Sequence, residues 1–368
     1  MNTFSPLALT RTLPFLPLAQ GTIDYEVARR GEDGLIESVL TEPTTRVLLI
    51  SNGNIAVPKG QGALVDYDAG RMRPALLPGD YVLGELAARR GSASGLVPIF
   101  LGSERAGEAS AARPVHYVAL DITRAVPSVP DSATVAADHG FDPDSDDAAA
   151  AAAGNLIAQA AKRFDWVDLR GFAPHVSARD AGLATSAVTV SIWHNRQRFC
   201  PCCGAPVEPA LGGWAQRCTS DADGRRILFP RIEPAVITAI VDGHDRLLLQ
   251  HNAAWRGNLY SVSAGFVEAG ENLEHAARRE ALEETGIRLG EVRYLGSQPW
   301  PFPASLMMAF KAQALSTEIH VDHEETADAQ WFTRDEFTSA MISGRIGVPG
   351  KATIARYMIE EWYGQPLS

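Results

Sequence analysis

Between Gly265 and Gly286 the chain carries a stretch that few folds can house. It ends in REALEETG (Arg279–Gly286), where three carboxylates fall within roughly one and a half helical turns. The spacing predicts a helix from about Leu273 to Thr285. Gly265 and Gly270 form a glycine-rich loop that feeds this helix, and free N–H groups at a helix start favour anionic ligands. On the helix Glu280 shares a face with Glu283 and Glu284, at i+3 and i+4. Three long carboxylates on one face repel one another unless cations join them, and a hard oxygen-rich site suits Mg²⁺ or Mn²⁺. Taken alone, an acidic run reads more simply as a solvated helix face. The flanking residues decide between these readings.

The full pattern is Gly265, five residues, Glu271, seven residues, Arg279-Glu280, two residues, Glu283-Glu284, one residue, Gly286. Seven fixed positions over 22 residues rarely coincide. This stretch resembles the signature of the Nudix hydrolases at every polar position. Ala281 stands where a larger aliphatic residue is usual, while Ile287 keeps the last such slot. The resemblance implies a loop–helix–loop on a mixed-sheet α/β/α sandwich and hydrolysis of a nucleoside diphosphate linked to another moiety. It implies that Arg279 holds a glutamate by charge pairing and that Glu280 and Glu284 are the firmest metal ligands. Glu283 is left as either a further ligand or the base that deprotonates water.

Downstream lies SQPWPFPAS (Ser297–Ser305). Three prolines in five positions do not suit a central strand, so the expectation is a stiff loop that displays Trp300 and Phe302. Such a platform either stacks on a nucleobase or nicotinamide ring or covers a core edge. The segment is similar, without a mismatch, to the hallmark of the NADH pyrophosphatase branch of the Nudix family. The resemblance assigns Gln298, Pro299, Trp300, Pro301, Phe302, Pro303, Ala304 and Ser305 to the dinucleotide site, and it adds Phe229 and the backbone of Ala355. It matches Glu325 to a late metal ligand, in preference to Glu324 beside it, and Ala264 to a metal-binding backbone carbonyl. The implied reaction is hydrolysis of NAD(H) to the mononucleotide NMN(H) and AMP, with NAD-capped RNA 5′ ends as a second substrate. The implied assembly is a homodimer.

Cys200-Pro-Cys-Cys203-Gly and Cys218, fifteen residues after Cys203, predict a zinc ribbon, since structural zinc takes four tetrahedral ligands. Relatives usually have a second CxxC, whose last cysteine would stand at 221. Here that position is Asp221, with Asp223 close behind, so Asp221 is the nominated fourth ligand and Cys202 the alternative. A metal-free ribbon with buried cysteines is the plainer reading. Every nominated position is a protein ligand, so the expected zinc is structural.

The 368 residues exceed one typical core. The expected division is an N-terminal, β-rich mixed α/β domain (1–196), a ribbon insert (197–231) and a Nudix domain (232–368). In the first part Val47–Ser51, Leu64–Ala69, Val97–Gly102 and Val115–Ile122 read as strands. The alanine run Ala148–Ala153 starts a helical stretch to about Phe164, and a second helix covers Ser177 to about Arg196. Further on, Val236–Asp242 and Arg246–Asn252 form a hairpin, Val292–Gly296 and Leu306–Leu315 are strands, and a last helix runs from about Thr353 to Trp362. The overall class is mixed α/β. A net charge of −11 argues against a protein that coats nucleic acid nonspecifically. No apolar run reaches the roughly 20 residues that span a bilayer, and Pro14 and Pro17 break the Leu13–Ala19 segment as a secretion signal. Four clustered cysteines suit a reducing cytoplasm. His175, His194, His251 and His275 lack partners at ligand spacing and read as surface or packing residues. Trp166 and Trp193 read as core, and Trp214 as packing of the ribbon. Two rivals to the enzyme reading are a Nudix-fold sensor that binds NAD or ADP-ribose without cutting it, and a broad ADP-ribose or nucleotide-sugar pyrophosphatase. The intact box argues against the first and SQPWPFP against the second.

Overall fold

The computed structural model describes residues 7, 10–13, 16–19, 21–62, 72–88, 95–104, 113–126 and 156–367. Two compact units divide the chain. One is Leu18–Arg231 with Pro301–Ala304. The other is Met1–Pro17 with Ile232–Trp300 and Ser305–Ser368. The cut therefore differs from the expected three-part division: the ribbon residues fall with the N-terminal unit, and the chain's start falls with the C-terminal one.

The N-terminal unit holds α1 (Leu35–Thr41), β1 (Arg46–Ser51), β2 (Asn54–Pro58), β3 (Leu76–Pro78), α2 (Gly79–Ala88), β4 (Val97–Glu104), β5 (Val115–Asp121), α3 (Leu156–Ala161), β6 (Phe164–Asp168), α4 (Leu169–Phe172) and α5 (Ala178–Arg196). The strands lie in the order β4-β5-β1-β2-β6, with β3 also on β1. Val47 to Ile50 are all fully buried, as a run covered on both faces requires, and β1 pairs in parallel with β5. Ser177 caps α5 by accepting from Asp180 N at 3.1 Å, and Ala181, Leu183, Ala184, Ala187 and Val188 are buried along it. The expected strand Leu64–Ala69 and the alanine run Ala148–Ala153 lie outside the described residues. The helix expected to reach Phe164 stops at Ala161, because residues from Phe164 onward pair with β2, Trp166 opposite Ala56. A separate three-stranded ribbon follows: β7 (Val207–Ala210), β8 (Ala215–Cys218) and β9 (Ile227–Leu228), in that order.

The C-terminal unit holds β10 (Glu233–Val241), β11 (Leu247–Asn252), β12 (Ser263–Phe266), α6 (Leu273–Thr285), β13 (Leu289–Trp300), β14 (Ser305–Ala314), β15 (Thr326–Phe332), α7 (Arg334–Ile342) and α8 (Ile354–Tyr363). Its mixed sheet runs β13-β14-β10-β11-β15, with β12 also on β10 and β10 parallel to β14. The two-residue period of β10 sorts its side chains between two layers. Val236 and Ile240 join the clusters under α6, with Ala277 and Ala281. Ile237, Ala239 and Val241 pack with Phe337 of α7 and with Met358 and Trp362 of α8. This is an α/β/α sandwich. Ala281 is fully buried against the sheet.

The proline-rich segment departs from expectation. Gln298, Pro299 and Trp300 are the last residues of β13, paired with Met307, Leu306 and Ser305, and only Pro301–Ala304 turns. Pro299 is tolerated because β13 is an edge strand, where a missing N–H costs no ladder bond. Among the described residues, no helix is long and apolar enough to cross a membrane.

Candidate active site

The acidic helix α6 is closed at both ends. Asn272 accepts from His275 N at 2.8 Å. At the other end Gly286 takes a φ of 73°, a left-handed value that glycine adopts without strain, and its N–H bonds Leu282 O at 2.9 Å. Gly265, on β12, is needed for a different reason. A Cβ there would stand 2.0 Å from Cδ of Glu280, so the missing side chain leaves the space that the Glu280 carboxylate fills.

Arg279 organises the acids. Its guanidinium has five N–H donors and makes five hydrogen bonds. Nε and Nη2 fork onto the two oxygens of Glu271 at 3.0 and 2.9 Å. Nη1 reaches Glu280 Oε1 and Glu283 Oε2, both at 2.9 Å, and Nη2 also binds Phe266 O at 2.8 Å. The Arg279 hydrogen bonds hold the Glu271 carboxyl down at about 2. Glu271 is thus the glutamate that Arg279 chiefly holds, and it ties the loop to the helix.

The three helix carboxylates are not equivalent. Glu284 is 3% exposed and Glu280 8%, whereas the Glu283 side chain is 58% exposed. Burial pushes Glu284 up to about 7, against hydrogen bonds from Gln250 and from Ser263 Oγ (2.7 Å). Burial also raises Glu280, against its pairing with Arg279. The charge of Glu325 raises both. Glu325 immediately precedes β15, and its carbonyl accepts from Ala253 N at 2.8 Å. Ala264 lies on β12 between Ser263, which binds Glu284, and Gly265, which makes room for Glu280. These donors fit a divalent cation: both carboxyls are buried and raised by desolvation, Glu284 is raised further by the charge of Glu280, and Arg279 pairs with Glu280. They do not close on one point, because Arg279 draws Glu280 and Glu283 toward itself.

Among the described residues, one group of potential ligands does close to within 4.8 Å of one another: Cys200, Cys203, Cys218 and Asp223. The nominated Asp221 is corrected to Asp223. Both sit on one short turn, Asp221–Asp223, whose geometry sends Asp221 outward: its side chain is 90% exposed and faces Arg225. Asp223 Oδ2 instead accepts from Cys200 Sγ at 3.3 Å and from Arg226 Nε at 2.7 Å. Cys203 and Cys218 sulfurs are 3.5 Å apart, and burial raises the Cys218 thiol to about 12. Three sulfurs and one carboxylate oxygen make a tetrahedral-type donor set that fits Zn²⁺. Cys202 is exposed and binds Arg226 Nη1 at 3.1 Å, outside the set.

The residues nominated for ring recognition are distributed as follows. Trp300, Pro299, Phe302, Pro303 and Ala304 are half-buried, and Pro301 and Ser305 are buried. The guanidinium of Arg170 lies 4.5 Å from the Phe302 ring centroid, a cation–π contact that the sequence did not signal. Phe229 is 60% exposed. Ala355 sits in the first turn of α8. Gln298 is corrected: its side chain is fully buried and bonded to backbone groups, which leaves it no face for a ligand. His194 is buried and bonded to Gly213 O and Gln216, His175 is buried, His251 is half-buried and His275 is exposed beside Glu271. Trp166 is half-buried and packs against the N-terminal core, and Trp193 is half-buried. Trp214 turns away from the ribbon: its Nε1 donates to Phe100 O at 2.6 Å, and Arg30 covers its ring at 3.9 Å.

Comparison with protein families matches residues 231–347 to the NUDIX domain and residues 195–223 to the NADH pyrophosphatase zinc ribbon domain. The chain carries a Nudix domain behind an NADH pyrophosphatase zinc ribbon. The ribbon match takes in Cys200, Cys203, Cys218 and Asp223. The Nudix domain contains α6, Gly265, Glu325 and the SQPWPFP segment. Among curated relatives, the NAD-capped RNA hydrolase NudC of Mycobacterium bovis is 43% identical over 205 residues, which cover 53% of this chain and 64% of the relative. The human NAD-capped RNA hydrolase NUDT12 is 37% identical over 194 residues, 50% of this chain and 42% of the relative. The matched stretch thus spans less than two thirds of these relatives' own length. A crystal structure of a NUDIX hydrolase from Nitrosomonas europaea is 26% identical with a TM-score of 0.36, covering 46% of this chain and 95% of that one.

Proposed function

We propose that the Nudix domain hydrolyses the pyrophosphate bond of NAD(H), giving NMN(H) and AMP, and that it removes the NAD cap from RNA 5′ ends. The observation that carries this reading is the pair of buried carboxyls, Glu280 and Glu284, on the helix of a Nudix box that is followed by SQPWPFPAS. Similarity to proteins named NAD-capped RNA hydrolases supports the choice of substrate.

Glu280, Glu284 and Glu325, with the carbonyl of Ala264, would hold Mg²⁺ or Mn²⁺. Such ions, when bound, screen the phosphate charge and acidify water. The protein's own residues do the rest. Arg279 fixes Glu271 and one oxygen of Glu280, so the acidic face is set before substrate arrives. Glu283 keeps Oε2 on Arg279 on an exposed side chain, and its Oε1 is the atom that takes the proton from the attacking water. Water adds to one phosphorus, the P–O–P bond breaks, and the bridging oxygen leaves on the other phosphate. Trp300 stacks on a ring of the dinucleotide and sets which phosphorus is attacked. The ribbon holds Zn²⁺ on Cys200, Cys203, Cys218 and Asp223 as a structural staple. We read the working form as a cytoplasmic homodimer, on the resemblance to the NADH pyrophosphatase branch and on the free state of all four cysteines. The deciding experiment incubates the full chain with NADH, ADP-ribose and NAD-capped RNA, with magnesium or manganese, and separates the products. NMNH and AMP from NADH are expected. NADH left intact would sink the reading.

A further inference from the structure

Gln298 is 0% exposed, and both ends of its amide are bonded. Nε2 donates to Pro17 O at 2.8 Å and to Ala352 O at 2.9 Å. Oε1 accepts from Ile354 N at 2.8 Å. Ile354 opens α8, and N–H groups at a helix start have no partner within the helix. The glutamine therefore caps α8 from outside while holding the carbonyl just before it. The third partner belongs to the N-terminal segment, which is seated in the same core: Leu7 is fully buried, Leu16 is buried, and Leu13 N donates to Leu295 O at 2.8 Å. Leu16 Cδ1 would lie 3.2 Å from a Cβ at Gly296, so the segment lies close over β13 two residues before Gln298.

We propose that Gln298 is a positioning residue for the dinucleotide site, one that fastens the strand leading into Trp300 to the N-terminal segment at Pro17 and to the first turn of α8 beside Ala355. This rests on the function proposed above. Two donors and one acceptor are required at one buried point, and only a carboxamide of this length supplies them. Glutamate could accept from Ile354 but would set a carboxylate against two carbonyls. Methionine fills the volume and makes none of the bonds, leaving three buried backbone groups unpaired. The residues nominated for ring recognition on either side of the clamp would then lose their common footing, while the carboxylates of α6 would be untouched.

The test compares full-length parent, Gln298→Met, Gln298→Glu and Leu16→Ala. Two readouts are taken: KM and kcat for NADH with magnesium, and amide hydrogen exchange at Ile354 and Leu13 without substrate. In Gln298→Met, KM should rise about tenfold with kcat within about threefold, and exchange at both amides should quicken. Leu16→Ala, which loosens the segment from the other side, should raise KM in the same direction. Gln298→Glu should be worse than methionine. A folded Gln298→Met with the parent's KM, or with parent-like exchange at Ile354, overturns the proposal. A parent protein inert toward NADH would refute the proposed function, and the exchange measurements would still decide the clamp.

Discussion

The most informative single change is Glu284→Gln. Glu284 is 3% exposed and its carboxyl is pushed by burial from an ordinary 4.5 to about 7. Below pH 4.5 the group is protonated in both folded and unfolded chains and does not discriminate between them. As pH rises toward 7 the unfolded chain ionises first, so folded stability falls, and the loss is complete once pH exceeds the folded value. Lifting a carboxyl from 4.5 to about 7 corresponds to about 3 kcal/mol. Glutamine keeps an oxygen to accept from Ser263 Oγ and never ionises. The chelated variant should therefore be more stable than the chelated parent by about 3 kcal/mol at pH 8, and equal to it near pH 4.5. Urea unfolding with EDTA at several pH values measures this. Magnesium should raise the parent's midpoint at pH 8 by binding only the folded form, and should do less for the variant. The variant should also lose turnover while remaining folded. A chelated variant no more stable than the parent at pH 8 would refute the reasoning, because Glu284 would then not be a buried charge awaiting a cation.

Further tests address other parts of the molecule. Asp223→Ala should drop zinc from about one per chain to about none after dialysis, whereas Asp221→Ala should keep it; metal analysis of both decides, and the reverse result would restore Asp221. Gly265→Ala should force the Glu280 carboxylate aside and cut kcat/KM about 100-fold with little change in KM, read by steady-state assay. Trp300→Ala should raise KM for NADH about tenfold or more while affecting a small diphosphate ester far less; equal losses on both would remove the stacking argument.

Much of the C-terminal unit was legible. The helix from Leu273 to Thr285 was bounded by its own residues, because charge spacing and flanking glycines act locally. The strands at Val236 and Leu247 and the final helix followed from periodicity for the same reason. Helix α7 and the short strand β12 were not anticipated: Ser263–Phe266 becomes a strand only because β10 pairs with it. Pro299 and Trp300 looked like loop because a proline is usually excluded from a ladder, and only the sheet order reveals that β13 is an edge.

At the site, the types of residue came from the chain and their division of labour from the fold. Sequence alone determined that Glu280, Glu283 and Glu284 share one helix face, that Arg279 accompanies them, and that Cys200 and Cys203 form a metal-type turn with Cys218 fifteen residues on, since each of these depends on spacing along a short stretch. It could not determine that Glu283 is exposed while Glu280 and Glu284 are buried, that Asp223 rather than Asp221 meets the sulfurs, or that Gln298 faces Pro17 and Ile354. Those outcomes depend on how folded segments meet: a short turn orients Asp221 and Asp223, β12 lies against the acids of α6, and Pro17 reaches Gln298 from 281 residues away, so burial and hydrogen-bond partners are set by packing and turn geometry that spacing alone does not give.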